Sequence, residues 1–125
     1  SIVEGAVTAG ARVVTGGTLG DGNKRAFFSP TILTNVAPEM DVARKEIFGP
    51  IAPILGFDTE EEAIALANQT EYGLASYVYT RDLARSWRVS EALEYGMVGI
   101  NEVAISNEVA PFGGIKESGL GRVNG

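Results

Sequence analysis

The chain has 125 residues, 45% of them hydrophobic and 21% charged, a balance that fits one globular domain or one piece of a larger one. Sixteen acidic against ten basic residues give a formal net charge of -6 at pH 7, which argues against nucleic-acid and membrane partners. With no cysteine and no histidine, the sequence lacks disulfides, thiol nucleophiles, imidazole bases and the usual zinc ligands. No apolar run approaches the roughly 20 residues that span a bilayer, so a cytoplasmic location is expected.

The first half of the chain predicts one helix and several short strands. Residues 2–9 have weak helical spacing and no recognisable N-cap. Residues 19–24 are rich in Gly, Asp and Asn and predict an exposed turn. Pro30 has no N–H group to donate to a neighbouring strand inside a sheet. A small antiparallel excursion of the chain is therefore expected around it. Extended segments are predicted at residues 12–15, 27–28, 31–33 and 51–57.

The second half predicts a βαβ unit preceded by a capped helix. The Thr59 hydroxyl can accept from the Glu62 N–H while the Glu62 carboxylate reaches back, which starts a helix. Asp82 can cap a second helix, which Gly96 can stop. The apolar runs at residues 74–79 and 97–100 flank that helix and predict two parallel strands. The fold class is therefore α/β, with a mostly parallel sheet and flanking helices.

Glu46 and Phe48 lie two residues apart just before a predicted strand, so in an extended segment both side chains point to the same side. In one reading Glu46 is solvated and Phe48 is packed. In the other, the carboxylate accepts from ribose hydroxyls and the aromatic face lies against a planar ring. The residues alone leave both readings open.

The glycine-rich stretch at residues 111–119 is readable as a turn, because glycine pairs supply positive φ at little steric cost. The glycines that follow do not fit the dinucleotide-binding pattern G-x-G-x-x-G. Gly119 and Gly121 would need a third glycine at position 124, which is Asn. The adjacent acids Glu60 and Glu61 read as a capping run facing water. The Asn68 glycosylation-like triplet reads as chance sequence at a helix end.

Three motifs nevertheless resemble one known family. They are KEIFGP at residues 45–50, NQTEYGLA at residues 68–75, and PFGG at residues 111–114 followed by Lys116 and SGLGR at residues 118–122. They occur in this order and at these separations in aldehyde dehydrogenases, and the resemblance covers essentially the whole chain. It favours the functional reading of Glu46.

The resemblance implies oxidation of an aldehyde with NAD or NADP. In that family a cysteine thiolate attacks the carbonyl, hydride passes to the nicotinamide, and a glutamate base activates water to hydrolyse the thioester. No catalytic residue can be assigned here, because the cysteine, the base and the Rossmann-like domain precede the matching segment. Residues 1–125 are expected to be the C-terminal part of the catalytic domain, inactive alone, within a parent enzyme that is a homo-oligomer.

By position, the resemblance implies that Glu46 holds the hydroxyls of the nicotinamide ribose and that Phe48 packs beside the nicotinamide. Residues 101–112 would line the aldehyde tunnel, with Ser106 and Phe112 as substrate contacts. This loop is similar to the succinate-semialdehyde version of the family, in which Ser106 would donate to the distal carboxylate. Val123 and Asn124 depart from the usual Arg-Glu-Gly continuation and leave the conformation of the tail open.

A second hypothesis is a binding or interaction module that keeps the fold and has lost the chemistry. The absence of cysteine does not decide between the two hypotheses, because in either case the cysteine would lie outside these residues. The nature of the aldehyde and the choice between NAD and NADP are also left open by the sequence.

Overall fold

The computed structural model describes residues 1–19 and 27–123, and the chain divides into two compact units, Ser1–Phe57 and Asp58–Gly125. The first unit contains α1 (Ile2–Thr8), β1 (Arg12–Thr15), β2 (Thr31–Thr34), α2 (Asp41–Arg44) and β3 (Ile51–Pro53). The second contains α3 (Glu60–Asn68), β4 (Tyr72–Gly73), β5 (Ala75–Val78), α4 (Leu83–Ala92), β6 (Met97–Ile100) and β7 (Ile115–Lys116).

A three-stranded sheet in the order β1-β2-β3 organises the first unit. β1 runs antiparallel to β2, and Leu19 forms an antiparallel bridge with Phe28, as the predicted excursion requires. β2 and β3 are parallel. β3 is shorter than the predicted strand at residues 51–57. Apart from Leu19, the predicted turn at residues 19–24 lies outside the described residues.

Helix α1 begins with a capping box that the sequence reading missed. The Ser1 hydroxyl accepts from the Glu4 N–H, and the Glu4 carboxylate accepts from the Ser1 amine. The expectation of a helix without an N-cap is therefore wrong, because the first residue of the chain is itself the cap. The helix buries its apolar face in the core of this unit, which consists of Val3, Ala6, Ala11, Leu33, Val36, Met40 and Val42.

The second unit contains the predicted βαβ arrangement. β5 and β6 are parallel and pair from Ala75 with Met97 to Val78 with Ile100. Between them α4 begins at the predicted cap, where the Asp82 carboxylate accepts from the Arg85 N–H at 2.9 Å. These parallel strands and their flanking helix confirm the α/β class. A separate antiparallel pair, β4 with β7, was not predicted.

Polar contacts fix the start of α3 and tie it to α4. Thr59 accepts from the Glu62 N–H as predicted, but the Glu62 carboxylate accepts from the Asp58 N–H instead of the Thr59 N–H. Glu60 pairs with Arg85 at 2.9 Å and with Arg88 at 3.0 Å. The Arg88 and Arg85 hydrogen bonds lower the Glu60 pKa. Glu60 therefore links two helices in addition to lying in a capping run.

The glycines of residues 111–114 are needed for close packing, not for positive φ. Neither Gly113 nor Gly114 has a left-handed backbone. A Cβ on Gly113 would overlap the Gly121 carbonyl, and a Cβ on Gly96 would overlap the Gly113 carbonyl. The prediction of positive φ is therefore wrong for Gly113 and Gly114, where what matters is contact between backbones distant in sequence, but it holds for Gly119, whose φ is 110°.

We expect Gly96→Ala to destabilise the chain by more than about 2 kcal/mol, because its Cβ would meet backbone that cannot rotate away. Gly5 is the matched control, since it lies in α1 and a Cβ there meets nothing within 4 Å. Gly5→Ala should stabilise the chain by about 0.5–1 kcal/mol. Chemical denaturation measures both changes. Wild-type stability for Gly96→Ala would contradict the packing account.

Candidate functional site

The segment from Lys45 to Pro50 presents two side chains to solvent from the surface of the first unit. Ile47 packs against the core of the unit. Glu46 and Phe48, on either side of it, are exposed, and the Phe48 side chain is 95% accessible. Glu46 and Phe48 are therefore exposed on either side of a half-buried Ile47.

The backbone of this segment is held at both ends. At its start, the Lys45 N–H donates to the Asp41 carbonyl at 2.9 Å, at the end of α2. At its far end, the Thr31 N–H donates to the Pro50 carbonyl at 2.8 Å, where β3 joins β2. In between, the Gly49 N–H donates to the Ile47 carbonyl at 3.0 Å. Glu46 and Phe48 are thus displayed from a restrained backbone.

The chemistry of Glu46 and Phe48 fits a nicotinamide ribose. The Glu46 carboxylate has no hydrogen-bond partner within the described part of the chain, so both of its oxygens can accept from adjacent hydroxyls. Phe48 offers an uncovered aromatic face beside it. Within the described residues Glu46 is solvated, as the structural reading expects, and Phe48 is not packed; the cofactor role of the pair stays a prediction.

In the second unit, the loop at residues 101–112 begins with a side-chain clamp. The Asn101 Oδ1 accepts from the Thr80 N–H, and its Nδ2 donates to the Thr80 carbonyl, both at 2.9 Å. The Asn101 N–H also donates to the Val78 carbonyl at 2.8 Å. Asn101 has a φ of 54°, a left-handed conformation that Asn tolerates better than most residues.

The next residues of the loop are also held. The Glu102 carboxylate accepts from the N–H groups of Val103 at 2.7 Å and Ala104 at 2.9 Å. These backbone hydrogen bonds lower the Glu102 pKa. The Ile105 side chain lies against Gly99, where a Cβ would come within 2.8 Å of it. The path of the backbone is therefore defined as far as Ile105.

Ser106 follows directly and is exposed, and its hydroxyl has no partner among the residues that the structure describes. The loop closes at Phe112, which is half-buried and exchanges two backbone hydrogen bonds with Val123, at 2.8 and 2.9 Å. Val123, a departure from the usual family pattern, is thus ordered in a bridge. Ser106 and Phe112 lie on one loop of the second unit, and Glu46 and Phe48 lie on one segment of the first.

Sequence reasoning missed the polar contacts that Lys116 and Asn68 make within the second unit. The Lys116 ammonium donates to the Asn68 and Thr70 carbonyls, both at 3.1 Å, and pairs with the Glu94 carboxylate at 2.6 Å. Asn68 in turn accepts from the Glu94 N–H at 2.8 Å. Asn68 is therefore a structural junction, although its triplet read as chance sequence. No local pattern signals a contact between residues 48 positions apart.

The described residues contain neither a candidate metal centre nor a candidate membrane span. In residues 1–19 and 27–123 no group of three or more His, Cys, Asp or Glu side chains could hold a metal ion. In the same ranges no helix combines the length and the apolar character required to cross a membrane.

Comparison with protein families places the whole chain in one group, since the model described as "Aldehyde dehydrogenase family" matches residues 1–125. A succinate semialdehyde dehydrogenase of Acinetobacter baylyi is 58% identical over 98% of this chain and 25% of its own length. A glutarate-semialdehyde dehydrogenase of Pseudomonas putida is 61% identical over 96% of this chain and 24% of its own length. A 3-sulfolactaldehyde dehydrogenase of Pseudomonas putida is 55% identical over 96% of this chain and 24% of its own length.

Solved structures agree with this placement. A succinate-semialdehyde dehydrogenase from Burkholderia pseudomallei matches with a TM-score of 0.92 and 58% identity, over 98% of this chain and 25% of the other. An E. coli NADP dependent enzyme matches with a TM-score of 0.93 and 56% identity, over the same shares of the two chains. The chain therefore spans about a quarter of the length of the proteins it matches.

Proposed function

The chain belongs to the aldehyde dehydrogenase family, and from this premise we propose that it forms the C-terminal part of the catalytic domain of an NAD(P)-dependent enzyme. That enzyme oxidises a small aldehyde, with succinate semialdehyde as our first candidate, to the carboxylic acid. The observation that carries the proposal is the exposed Glu46–Phe48 pair, held outward on a restrained backbone.

Within this proposal, Glu46 accepts hydrogen bonds from the nicotinamide ribose hydroxyls and Phe48 packs beside the nicotinamide. The bound NAD or NADP supplies the acceptor for the hydride that leaves the aldehyde carbon. Glu46 moves no proton, and its role is to orient the ring for transfer. An exposed carboxylate suits this task, because binding does not first have to break a hydrogen bond within the described residues.

The nucleophilic cysteine and the general base lie, in this proposal, outside residues 1–125. The chain contains no cysteine, and its relatives are about four times as long. The parent enzyme is proposed to be a homo-oligomer. Its cytoplasmic location stays a prediction, since a human relative with 56% identity is named as mitochondrial. A non-catalytic module is the alternative hypothesis.

The substrates named for the relatives support an anionic aldehyde as the proposed substrate class. Succinate semialdehyde, glutarate semialdehyde and 3-sulfolactaldehyde each combine an aldehyde with an anionic group at the other end of a short molecule. The Ser106 hydroxyl is exposed and unpaired within the described residues, and it is therefore a free donor for such an anion. Phe112, half-buried at the end of the loop, would supply an apolar contact for the carbon chain.

For the cofactor contact, we expect Glu46→Gln in the parent enzyme to slow hydride transfer by about tenfold, because neutral amide atoms hold the ribose less well than a carboxylate. Thioester hydrolysis should change far less. A larger primary isotope effect with deuterated aldehyde would report the shift in rate-limiting step. Glu39→Gln, at another exposed acid of the first unit, is the matched control and should behave as wild type. A normal first equivalent of NADH followed by a stall would instead assign Glu46 to hydrolysis.

For the substrate contact, Ser106→Ala should raise the KM for succinate semialdehyde by about tenfold or more, since a hydrogen bond to a charged group contributes roughly 1.5–3 kcal/mol. The KM for an uncharged aldehyde of similar length should change little. Ser90→Ala removes a half-buried serine of α4, whose hydroxyl donates to the Trp87 carbonyl, and serves as the control. Equal effects on both aldehydes would mean that Ser106 only shapes the loop.

For residues 1–125 alone, we expect no aldehyde oxidation above background with either nicotinamide cofactor, since the chain contains neither cysteine nor histidine. NADH or NADPH formation measured by absorbance after rigorous purification checks this. The parent enzyme, assayed in parallel, is the positive control. Turnover by the short chain would contradict the proposed division of the active site.

A further inference from the structure

The loop that carries Ser106 is anchored by a side chain that its proposed chemistry does not use. We infer that Asn101 is a positioning residue for the anionic end of the substrate, acting through its clamp on Thr80 to fix the place of Ser106. This inference rests on the proposed function of Ser106. Asn101 itself is not assigned any contact with substrate.

The clamp satisfies both halves of the Asn101 amide. Its oxygen accepts from the Thr80 N–H and its nitrogen donates to the Thr80 carbonyl, each at 2.9 Å. A two-bond arrangement of this kind fixes direction as well as distance. A serine or an alanine at position 101 cannot reproduce it, because neither carries a donor and an acceptor on separate atoms.

The partner of the clamp is itself well held. Thr80 follows β5, and its hydroxyl accepts from the Asp82 N–H at 3.1 Å, next to the cap of α4. The Asn101 N–H meanwhile donates to the Val78 carbonyl at the end of β5. The loop is therefore fastened to the carboxyl ends of two paired parallel strands, the place where open α/β sheets commonly bind ligands.

Only four residues separate Asn101 from Ser106, and they have little freedom to absorb a displacement. The Glu102 carboxylate holds the N–H groups of Val103 and Ala104, and Ile105 lies against Gly99. A shift at the clamp would consequently carry through to Ser106. Since hydrogen bonding to a small anion depends steeply on geometry, such a shift should weaken substrate binding first.

Asn101→Gly in the parent enzyme isolates the clamp from backbone strain. Glycine adopts the 54° φ of Asn101 without steric cost, so this variant removes the side-chain hydrogen bonds without straining the folded backbone. Asn35 provides the matched control, because it has a φ of 58° in the first unit, and Asn35→Gly leaves the loop untouched. Both variants are assayed with succinate semialdehyde and with an uncharged aldehyde of similar length, and amide hydrogen exchange is followed in both.

Asn101→Gly should raise the KM for succinate semialdehyde by about tenfold, with a smaller change in kcat and in the KM for the uncharged aldehyde. Amide exchange should quicken at Thr80 and in residues 102–106, where the clamp no longer restrains the backbone. Asn35→Gly should match wild type in all of these measurements. Together these results would support Asn101 as a positioning residue.

Unchanged exchange at Thr80 and in residues 102–106 would overturn the inference while leaving the proposed function intact. Faster exchange with no preferential rise in KM for the anionic aldehyde would also overturn it, because the loop would then move without affecting the substrate. A wild-type parent enzyme that oxidises neither aldehyde would overturn the proposed function, and the inference with it. The wild-type assay therefore separates the two failures.

Discussion

Close backbone contact at Gly96 is the constraint on which the arrangement of the second unit depends. The Gly96 N–H donates to the Gly73 carbonyl at 3.0 Å, and the Gly113 carbonyl occupies the space that a side chain at position 96 would need. The entry to β6 is thereby joined to β4 and to the end of the long loop. Asn101 is clamped at one end of that loop and Phe112 is bridged to Val123 at the other. The middle of the loop is exposed, while both of its ends are held in place. Binding residues commonly lie on exposed loops whose ends are fixed by a rigid scaffold.

The parts of the fold that the sequence predicts are those governed by neighbours in the chain. Thr59 and Asp82 start helices because a short polar side chain can reach an N–H three residues on, and that relation is visible in the sequence. β4 and β7 contain two residues each, and their pairing brings Tyr72 to Lys116. Strands as short as these have no detectable periodicity, so only tertiary contacts define them.

The candidate site shows the same division. The two-residue spacing of Glu46 and Phe48 predicts a shared side only for an extended segment, and the exposure of both around the half-buried Ile47 is seen only in the folded chain. Ser106 came from the resemblance alone, because an exposed serine in a loop has no distinguishing local pattern. The Asn101 clamp on Thr80 was missed for a different reason. Its partner Thr80 is 21 residues away, and the intervening helix brings the two together only in the folded chain.

Charge places a further condition on the proposed substrate loop. Residues 101–112 contain two glutamates and neither lysine nor arginine, so the loop offers an anionic aldehyde hydrogen bonds but no opposite charge. The backbone bonds that lower the Glu102 pKa also bring partial positive charge close to its carboxylate, which reduces the repulsion that an incoming anion would meet. A neutral donor such as the Ser106 hydroxyl can orient an anionic group through a hydrogen bond, but it does not neutralise the charge of that group. If the substrate is anionic, its counter-charge must come from residues outside this loop, and truncating Ser106 should leave part of the preference for anionic aldehydes in place.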